Sequence, residues 1–229
     1  MNERLLRVPI LIWIAFAATA VLFLGFPEID LFVSGLFYTP DEGFTFRGTP
    51  VERFVYHSAE WLTLWGSLTL VALWGLGWLR RRPVWGVSGR RLAFLLLVLA
   101  LGPGLVVNAL LKDHWGRARP ANIEQFGGTK TFTPAFVISD QQGGSFSSGH
   151  AAAAFFWMAA ALLASSWRNL WLLVTIGYGG LVGVVRIAGG GHYLSDVLVS
   201  FFIVLILSLI LKDLLDSQPA RARSPDGRD

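Results

Sequence analysis

Cysteine is absent from this chain of 229 residues, and charged residues are scarce. Without cysteine the chain forms no disulfide and offers neither a thiol nucleophile nor a cysteine-ligated metal site. Only 15% of the residues are charged, whereas soluble domains carry about 25%. The hydrophobic fraction is 54%, with ten Trp and seventeen Phe. This balance predicts a single-domain integral membrane protein.

Uncharged runs divide the chain into six predicted membrane spans, at about 8–26, 59–79, 92–112, 149–166, 170–187 and 193–212. About twenty apolar residues cross a hydrocarbon core as a helix, and the shorter runs are expected to be completed by their polar ends. No polar stripe interrupts them, which favours membrane helices over buried helices of a soluble fold. The first run also resembles a signal peptide, but it is longer than a typical signal core and no clear cleavage site follows.

The fold class expected is all-α, a six-transmembrane-helix bundle over residues 1–216 with a disordered cytoplasmic tail at 217–229. Five arginines between residues 80 and 91 mark that loop as cytoplasmic. The same topology leaves both termini and the 167–169 turn inside, and these inner segments hold twelve of the nineteen Lys and Arg residues. Because the cations cluster beside apolar runs, no nucleic acid partner is expected.

Three polar clusters then fall on the outer side, each at the end of an apolar run. The first holds Lys112 and Arg119 at the mouth of the third span. Pro120 biases Arg119 towards an extended backbone. The two cations suit an anionic ligand, although Lys and Arg at a membrane boundary also commonly extend to the interface without any specific partner.

The second cluster is Ser147–Ser148–Gly149–His150, directly before an alanine-rich run. A serine here is a plausible helix N-cap, and Gly149 lets the backbone approach a ligand closely. A helix N-terminus favours an oxyanion, and His150 in the first turn is placed to give a proton to a leaving oxygen. Simple capping with a solvated histidine is the competing interpretation.

The third cluster runs from Arg186 through three glycines to His192 and Asp196. His192 and Asp196 are four residues apart, so on a helix they share a face. A carboxylate bonded to one ring nitrogen would fix the tautomer and leave the other nitrogen to attack or to accept a proton. A cap pair without catalysis is an alternative. A metal site is not expected, because only Asp113 and His114 offer a further candidate pair of ligands.

Together the clusters resemble the type 2 phosphatidic acid phosphatase family. The matching residues are Lys112 and Arg119–Pro120, then Ser148–Gly149–His150, then Arg186, His192 and Asp196, in the order and spacing of that family. Two positions depart from the pattern: Ser147 stands where the family usually has Pro, and Val185 where it usually has Ser. The second departure removes a hydroxyl near the expected phosphate site.

The resemblance implies a metal-independent phosphatase that needs no cofactor and works through a phosphohistidine. By the family's motif, His192 is the nucleophile, Asp196 orients it and His150 protonates the leaving alcohol. The phosphate would be bound by Lys112, Arg119 and Arg186, with Ser148 and Gly149 assisting. It also implies a bacterial inner membrane location, with the active site on the periplasmic face and both termini in the cytoplasm.

A lipid phosphate among membrane lipids is the expected substrate. Trp115–Pro120, Phe126–Gly128 and Ser145–Phe146 resemble the bacterial lipid A phosphatase branch. Phosphatidylglycerophosphate, phosphatidic acid and undecaprenyl pyrophosphate remain alternatives, as does a catalytically idle lipid-binding protein of the same fold. Arg117 and Lys130 are expected to contact either a second anionic group or phospholipid headgroups. The sequence does not fix the oligomeric state.

Overall fold

The computed structural model describes residues 4–217, and this part of the chain is mostly helical. Its helices are α1 (Ile10–Gly25), α2 (Glu28–Gly35), α3 (Pro50–Leu79), α4 (Gly89–Leu99), α5 (Gly149–Phe155), α6 (Trp157–Leu162), α7 (Arg168–Ala188) and α8 (Leu194–Ser217). A π-helix over Ala100–Lys112 continues α4, and 3-10 turns occupy Pro120–Asn122 and Glu124–Phe126. Of the predicted disordered tail, Ser217 ends α8, and residues 218–229 lie outside the described part.

Two short antiparallel strand pairs accompany the helices. They are β1 (Arg4–Leu5) with β2 (Val8–Pro9), and β3 (Tyr38–Thr39) with β4 (Gly43–Phe44). Phe44 of the second pair lies against the backbone of Gly190, where an added Cβ would come within 2.5 Å of the Phe44 ring. This hairpin therefore covers the turn that carries the third polar cluster.

Four helical segments are long and apolar enough to cross a membrane: α3, α4 with its π-helical continuation, α7 and α8. The pair α1 and α2 is a fifth candidate, with a bend of 84° between its two helices. Pro27, between α1 and α2, occupies the position where the chain turns. Helices α5 and α6 together form a shorter apolar segment, Gly149–Leu162. By length and composition the described residues therefore provide four to five spans.

Helix α3 begins well before the run predicted at 59–79. The Thr49 side chain accepts a hydrogen bond from the Glu52 backbone N–H at 3.1 Å, and Pro50 occupies the first turn. Both features are typical of a helix start. Residues 50–58, which precede the predicted span, therefore belong to the helix, and Glu52 and Tyr56 are part of it.

Helix α5 lies at the centre of the bundle, in contact with α3, α7, α8 and the π-helix. Its alanines at 151, 152 and 154 are buried, and these small side chains let neighbouring helices approach closely. Gly179 of α7 packs on Phe155 so closely that a Cβ there would lie 2.1 Å from a ring atom. The Ser148–Gly149–His150 segment is thus held at the mouth of the bundle by the most buried helix.

The opposite end of the bundle carries ion pairs between the start of the chain and the end of α8. Arg4 and Arg7 contact the Asp213 carboxylate at 3.1 and 2.7 Å. Arg90, at the start of α4, donates to the backbone carbonyl of Leu215. The chain start, the start of α4 and the end of α8 therefore meet at one end, and the three polar clusters lie at the other.

Candidate active site

The turn between α7 and α8 builds the centre of the site. Helix α7 ends at Ala188, and the backbone N–H groups of Gly191 and His192 both donate to the Arg186 carbonyl, at 2.9 and 3.3 Å. The Arg186 guanidinium lies directly over Gly191, where a Cβ would come within 2.2 Å of Nη2. A larger residue at this position would displace the guanidinium.

His192 is almost fully buried, and one ring nitrogen is held by a backbone carbonyl. Its Nδ1 lies 2.7 Å from the carbonyl oxygen of Ser145, so Nδ1–H donates to that oxygen. This bond fixes the tautomer and leaves Nε2 with the lone pair. The Asp196 carboxylate is 3.7 Å from Nδ1, too far for a direct hydrogen bond.

The predicted hydrogen bond between Asp196 and His192 is therefore wrong in its geometry. The prediction assumed that both residues lie on one helix, but α8 begins at Leu194, after His192. Asp196 instead caps the start of α8, where Oδ2 accepts from the Tyr193 backbone N–H at 2.8 Å and from the Ser145 hydroxyl at 2.6 Å. Asp196 acts on the imidazole through its charge.

Electrostatics favour the neutral form of His192. Burial lowers the pKa of the His192 imidazole below its ordinary value, the Asp196 carboxylate acts in the opposite direction, and the positive charges of Arg186 and Arg119 act in the same direction as burial. Both guanidinium groups therefore lie within electrostatic reach of this ring. A neutral imidazole with a free Nε2 beside two cations is suited to attack an anionic centre.

The cations of the first cluster approach the same region. Arg119 has an extended backbone, with φ −75° and ψ 153°, as Pro120 predicted. The side chains of Lys112 and Arg119 both lie against Gly144, 3.7 to 3.9 Å from where its Cβ would be. The first cluster thus packs beside the loop that leads into Ser145, which holds His192.

Arg186 presents an unused donor. Its Nη1 donates to Glu52 Oε1 at 3.1 Å, and its guanidinium lies 5.0 Å from the centre of the Tyr56 ring. Its Nε is buried and makes no hydrogen bond to the rest of residues 4–217. A buried guanidinium N–H without a partner is costly, so this atom marks a place for an anionic acceptor.

The second cluster meets the third through the backbone. Ser148 caps α5, with its hydroxyl accepting from the Ala151 N–H at 3.4 Å, and its own N–H donates to the Asp196 carbonyl at 3.4 Å. His150 stands in the first turn of α5, within electrostatic range of Arg186 and His192. Ser148 is therefore a helix cap, as one interpretation of the sequence predicted. The same helix start also brings His150 close to His192.

The two departures from the family pattern have different surroundings. Val185 packs into an apolar cluster with Val55, Ala59 and Val182. The Ser147 hydroxyl is buried and has no hydrogen-bond partner within residues 4–217.

No group of three or more His, Asp or Glu side chains within residues 4–217 could hold a metal ion. His114 is exposed, and its Nδ1 lies 3.0 Å from the Ala109 carbonyl. Its neighbour Asp113 is also exposed. The pair that the sequence offered as a further ligand set therefore stands apart from His192 and Asp196.

The comparison with protein families decides the affiliation. A family model described as the PAP2 superfamily matches residues 91–217, which include all three polar clusters. The chain belongs to the PAP2 superfamily. The resemblance to the type 2 phosphatidic acid phosphatases that the sequence motifs carry is thereby confirmed.

Curated relatives of this PAP2 chain cover nearly its whole length. A lipid A 4'-phosphatase of Francisella tularensis subsp. novicida is 35% identical over 85% of this chain and 90% of the relative. Lipid A 4'-phosphatases of Rhizobium leguminosarum and Rhizobium etli are each 30% identical to this chain over 94% of its length. The matched regions cover 99% and 90% of these two relatives, respectively. No solved structure matches the chain. The family and these relatives support a membrane lipid phosphatase.

The sequence interpretation missed two acidic residues of the candidate site. Glu52 pairs with Arg186, and Glu60 Oε1 lies 3.2 Å from His150 Nε2. Tyr56, between them, lies with its ring centre 3.8 Å from that of His150. Spacing was the available signal, because residues 52, 56 and 60 share one face of a helix once α3 is recognised to begin at Pro50.

The expectation for Arg117 is also wrong. Its side chain is fully buried and contacts the carboxylates of Asp30 and Asp196 at 2.8 and 2.6 Å, so it reaches neither a headgroup nor the membrane surface. Lys130 donates to the Gln141 carbonyl at 2.6 Å. Asp30 is followed by the apolar residues Leu31, Phe32 and Val33, which hinted at a buried carboxylate but did not identify its partner.

Proposed function

We propose that this PAP2-superfamily protein removes a phosphate from lipid A at a bacterial inner membrane, through a phosphohistidine on His192. One observation carries the proposal: Nδ1 of His192 is bound to a backbone carbonyl, Nε2 retains its lone pair, and the charges of Arg119 and Arg186 act on the ring. The lipid A assignment rests on the names of the relatives. A free Nε2 under the influence of two cations supports phosphoryl transfer to this ring.

The first step transfers the phosphoryl group to the protein. Lys112, Arg119 and Arg186, with the start of α5 at Ser148 and Gly149, bind the phosphate oxygens and neutralise charge in the transition state. Nε2 of His192 attacks phosphorus, and the bond from phosphorus to the sugar oxygen breaks. Protonated His150, with Glu60 next to its Nε2, gives its proton to the leaving oxygen.

The second step regenerates the enzyme. A water molecule attacks the phosphorus of the phosphohistidine, and neutral His150 accepts its proton. The bond between phosphorus and Nε2 then breaks, which releases inorganic phosphate and restores neutral His192. The charge of Asp196, 3.7 Å from Nδ1, stabilises the positive imidazole of the intermediate. Each step uses side chains of this protein, so the reaction proceeds without a metal ion.

The membrane arrangement proposed has six spans, with α1 and the α5–α6 segment completing the bundle of the longer helices. The arginines at 80–82 lie in a turn, and Arg90, Arg91 and Arg168 lie in the first turns of α4 and α7, all at the end of the bundle opposite the three clusters. Cytoplasmic loops are enriched in Arg and Lys, which favours cytoplasmic termini and a site on the periplasmic face. A site at the periplasmic end of the bundle would lie level with the phosphate headgroups of the lipids in that leaflet.

Phosphate release from purified lipid A in detergent tests this function. We expect turnover by the wild-type protein and a loss of at least about 1,000-fold in His192→Ala, because the nucleophile is gone. His114→Ala is the matched control, since His114 is exposed and bonded to the Ala109 carbonyl; it should retain wild-type activity. Equal activity of wild type and His192→Ala would contradict the proposal.

The same assay separates the alternatives. Phosphatidic acid, phosphatidylglycerophosphate and undecaprenyl pyrophosphate serve as competing substrates, and preferential release from one of them would replace lipid A. Release from none would favour a lipid-binding protein. Addition of a chelator should leave the rate unchanged, whereas a chelator-sensitive rate restored by a divalent cation would indicate a metal enzyme.

A further inference from the structure

A buried charge network lies directly behind the proposed nucleophile. Arg117 donates through Nη1 to Asp196 Oδ1 at 2.6 Å and to the Ser195 hydroxyl at 2.8 Å. It donates through Nη2 to Asp30 Oδ2 at 2.8 Å and through Nε to the Thr133 carbonyl at 2.8 Å. All three nitrogens of one guanidinium are thus engaged, and the Arg117, Asp30 and Asp196 side chains are all fully buried.

Asp30 is tied to the start of α8 by more than Arg117. Its Oδ1 accepts from the Ser195 N–H at 2.9 Å, and its Oδ2 lies 2.5 Å from the Ser195 hydroxyl. The Tyr193 ring lies against the guanidinium, 4.1 Å from Cζ to the ring centre. Helix α2, which lies outside the three motifs, therefore reaches the helix turn that carries Asp196.

Burying one cation and two carboxylates is expensive unless every member is paired. Burial by itself would lower the pKa of Arg117, but the charges of Asp196 and Asp30 raise it, so the guanidinium remains a cation. Removal of that cation would leave two carboxylates facing each other in a buried space, a state in which one of them takes up a proton. The network thus determines the charge of Asp196.

We propose that Arg117 is a positioning residue that keeps Asp196 ionised and oriented beside His192 during phosphoryl transfer, and that Asp30 holds Arg117 in place. This inference rests on the proposed function of His192. Arg117 holds Oδ1 of Asp196, so that Oδ2 remains with Ser145 and the Tyr193 N–H, on the side facing the imidazole. Ser145 completes the link, because its hydroxyl binds Asp196 and its carbonyl holds Nδ1 of His192.

The groups that face Asp196 come from several elements. They are Arg117 and Ser145 from the loop between the π-helix and α5, His192 and Tyr193 from the turn, and Asp30 from α2, which reaches it through Arg117. Arg117 is the cation in direct contact with the Asp196 carboxylate. Without Arg117, Asp196 should take up a proton and lose the negative charge that stabilises the phosphorylated imidazole. The phosphate-binding cations should stay in place.

The test measures kcat and KM for phosphate release from lipid A by full-length protein in detergent. Arg117→Met should lower kcat by about 100-fold with KM changed less than about threefold, because the nucleophile and not substrate binding is affected. Arg117→Lys keeps the charge but not the bridging geometry, and should lower kcat by about tenfold.

The decisive variant is the double substitution Arg117→Met with Asp30→Asn. It removes the facing carboxylate, so Asp196 is then the only buried acid of the pair and ionises more readily than in Arg117→Met. The kcat of the double variant should exceed that of Arg117→Met by at least about tenfold. The acid limb of its pH–activity profile should lie at lower pH than the acid limb of Arg117→Met. Asp213→Asn, at the other end of α8, is the matched control and should behave as wild type.

The outcomes are distinguishable. An inactive wild type overturns the proposed function itself. An active wild type with a wild-type kcat in Arg117→Met and in Arg117→Lys overturns the positioning role. A double variant no faster than Arg117→Met, with thermal unfolding midpoints falling in step with activity, would assign Arg117 and Asp30 to fold stability alone and also overturn the inference.

Discussion

At the residue scale, the site depends on how a single imidazole is held. The His192 Nδ1–H donates to the Ser145 carbonyl at 2.7 Å, and the carboxylate of Asp196 stands 3.7 Å away. A carbonyl accepts from the neutral ring without changing its charge, whereas the carboxylate becomes most favourable when the ring turns positive. In the proposed mechanism this arrangement keeps His192 neutral before attack and stabilises it after phosphorylation.

The pH dependence of kcat/KM follows from this arrangement. Burial lowers the pKa of His192 below its ordinary value of 6.5, so the neutral nucleophile persists below that pH. Activity should be lost only as the pH falls through this lowered value. We expect the acid limb of the kcat/KM profile for lipid A below pH 6.5. A limb at or above the ordinary histidine value would contradict this.

Individual residues were predicted unevenly. Motif spacing singled out the site set Lys112, Arg119, His150, Arg186, His192 and Asp196, whose roles stay predictions. Pro120 correctly indicated the extended backbone of Arg119. Arg117 was misplaced, because its partners Asp30 and Asp196 are 87 and 79 residues away. No local pattern reports which of three nearby cations turns inward, so this contact required the tertiary structure.

At the element scale, helix α3 contributes a polar face that the apolar run concealed. Glu52, Tyr56 and Glu60 lie one turn apart, and contact Arg186 and His150. The apolar runs predicted where the helices would lie, but not that α3 begins at Pro50. The start depends on the Thr49 cap and on packing against α5 and α7, of which only the cap is visible in the sequence.

The turn between α7 and α8 gives a prediction for Gly191. An added methyl group would meet Arg186 Nη2 at 2.2 Å and displace the guanidinium. Gly191→Ala should therefore lower kcat/KM for lipid A by about tenfold or more, with little change in the amount of folded protein. Gly180→Ala, in α7, is the control, because nothing lies within 4 Å of its Cβ position. Equal loss in both variants would refute the steric argument.

At the scale of the whole molecule, charge separates the two ends of the bundle. Arg4, Arg7 and Arg90 gather with the end of α8, and the site lies at the other end. Apolar composition predicted a helical membrane protein, but not the 84° bend between α1 and α2. That bend carries Asp30 inward to Arg117, a contact that composition and periodicity cannot encode.

The absence of native cysteine makes the membrane orientation directly measurable. Asp41 lies in the exposed turn between β3 and β4, at the end of the bundle that carries the site, and Ser217 lies at the exposed end of α8. Each is replaced by cysteine in a separate variant, Asp41→Cys and Ser217→Cys. With a periplasmic site, an impermeant maleimide should label position 41 in intact spheroplasts and position 217 only after permeabilisation. The reverse labelling pattern would place the site in the cytoplasm.

Trapping the covalent intermediate tests the central claim most directly. Protein incubated with lipid A carrying radioactive phosphate, then quenched in alkali, should retain label in an acid-labile, alkali-stable bond, and peptide mapping should locate it at His192. The His192→Ala protein should retain none, and His114→Ala should retain as much as wild type. Label on another residue, or rapid phosphate release with no labelled protein at any quench time, would contradict His192 as the nucleophile.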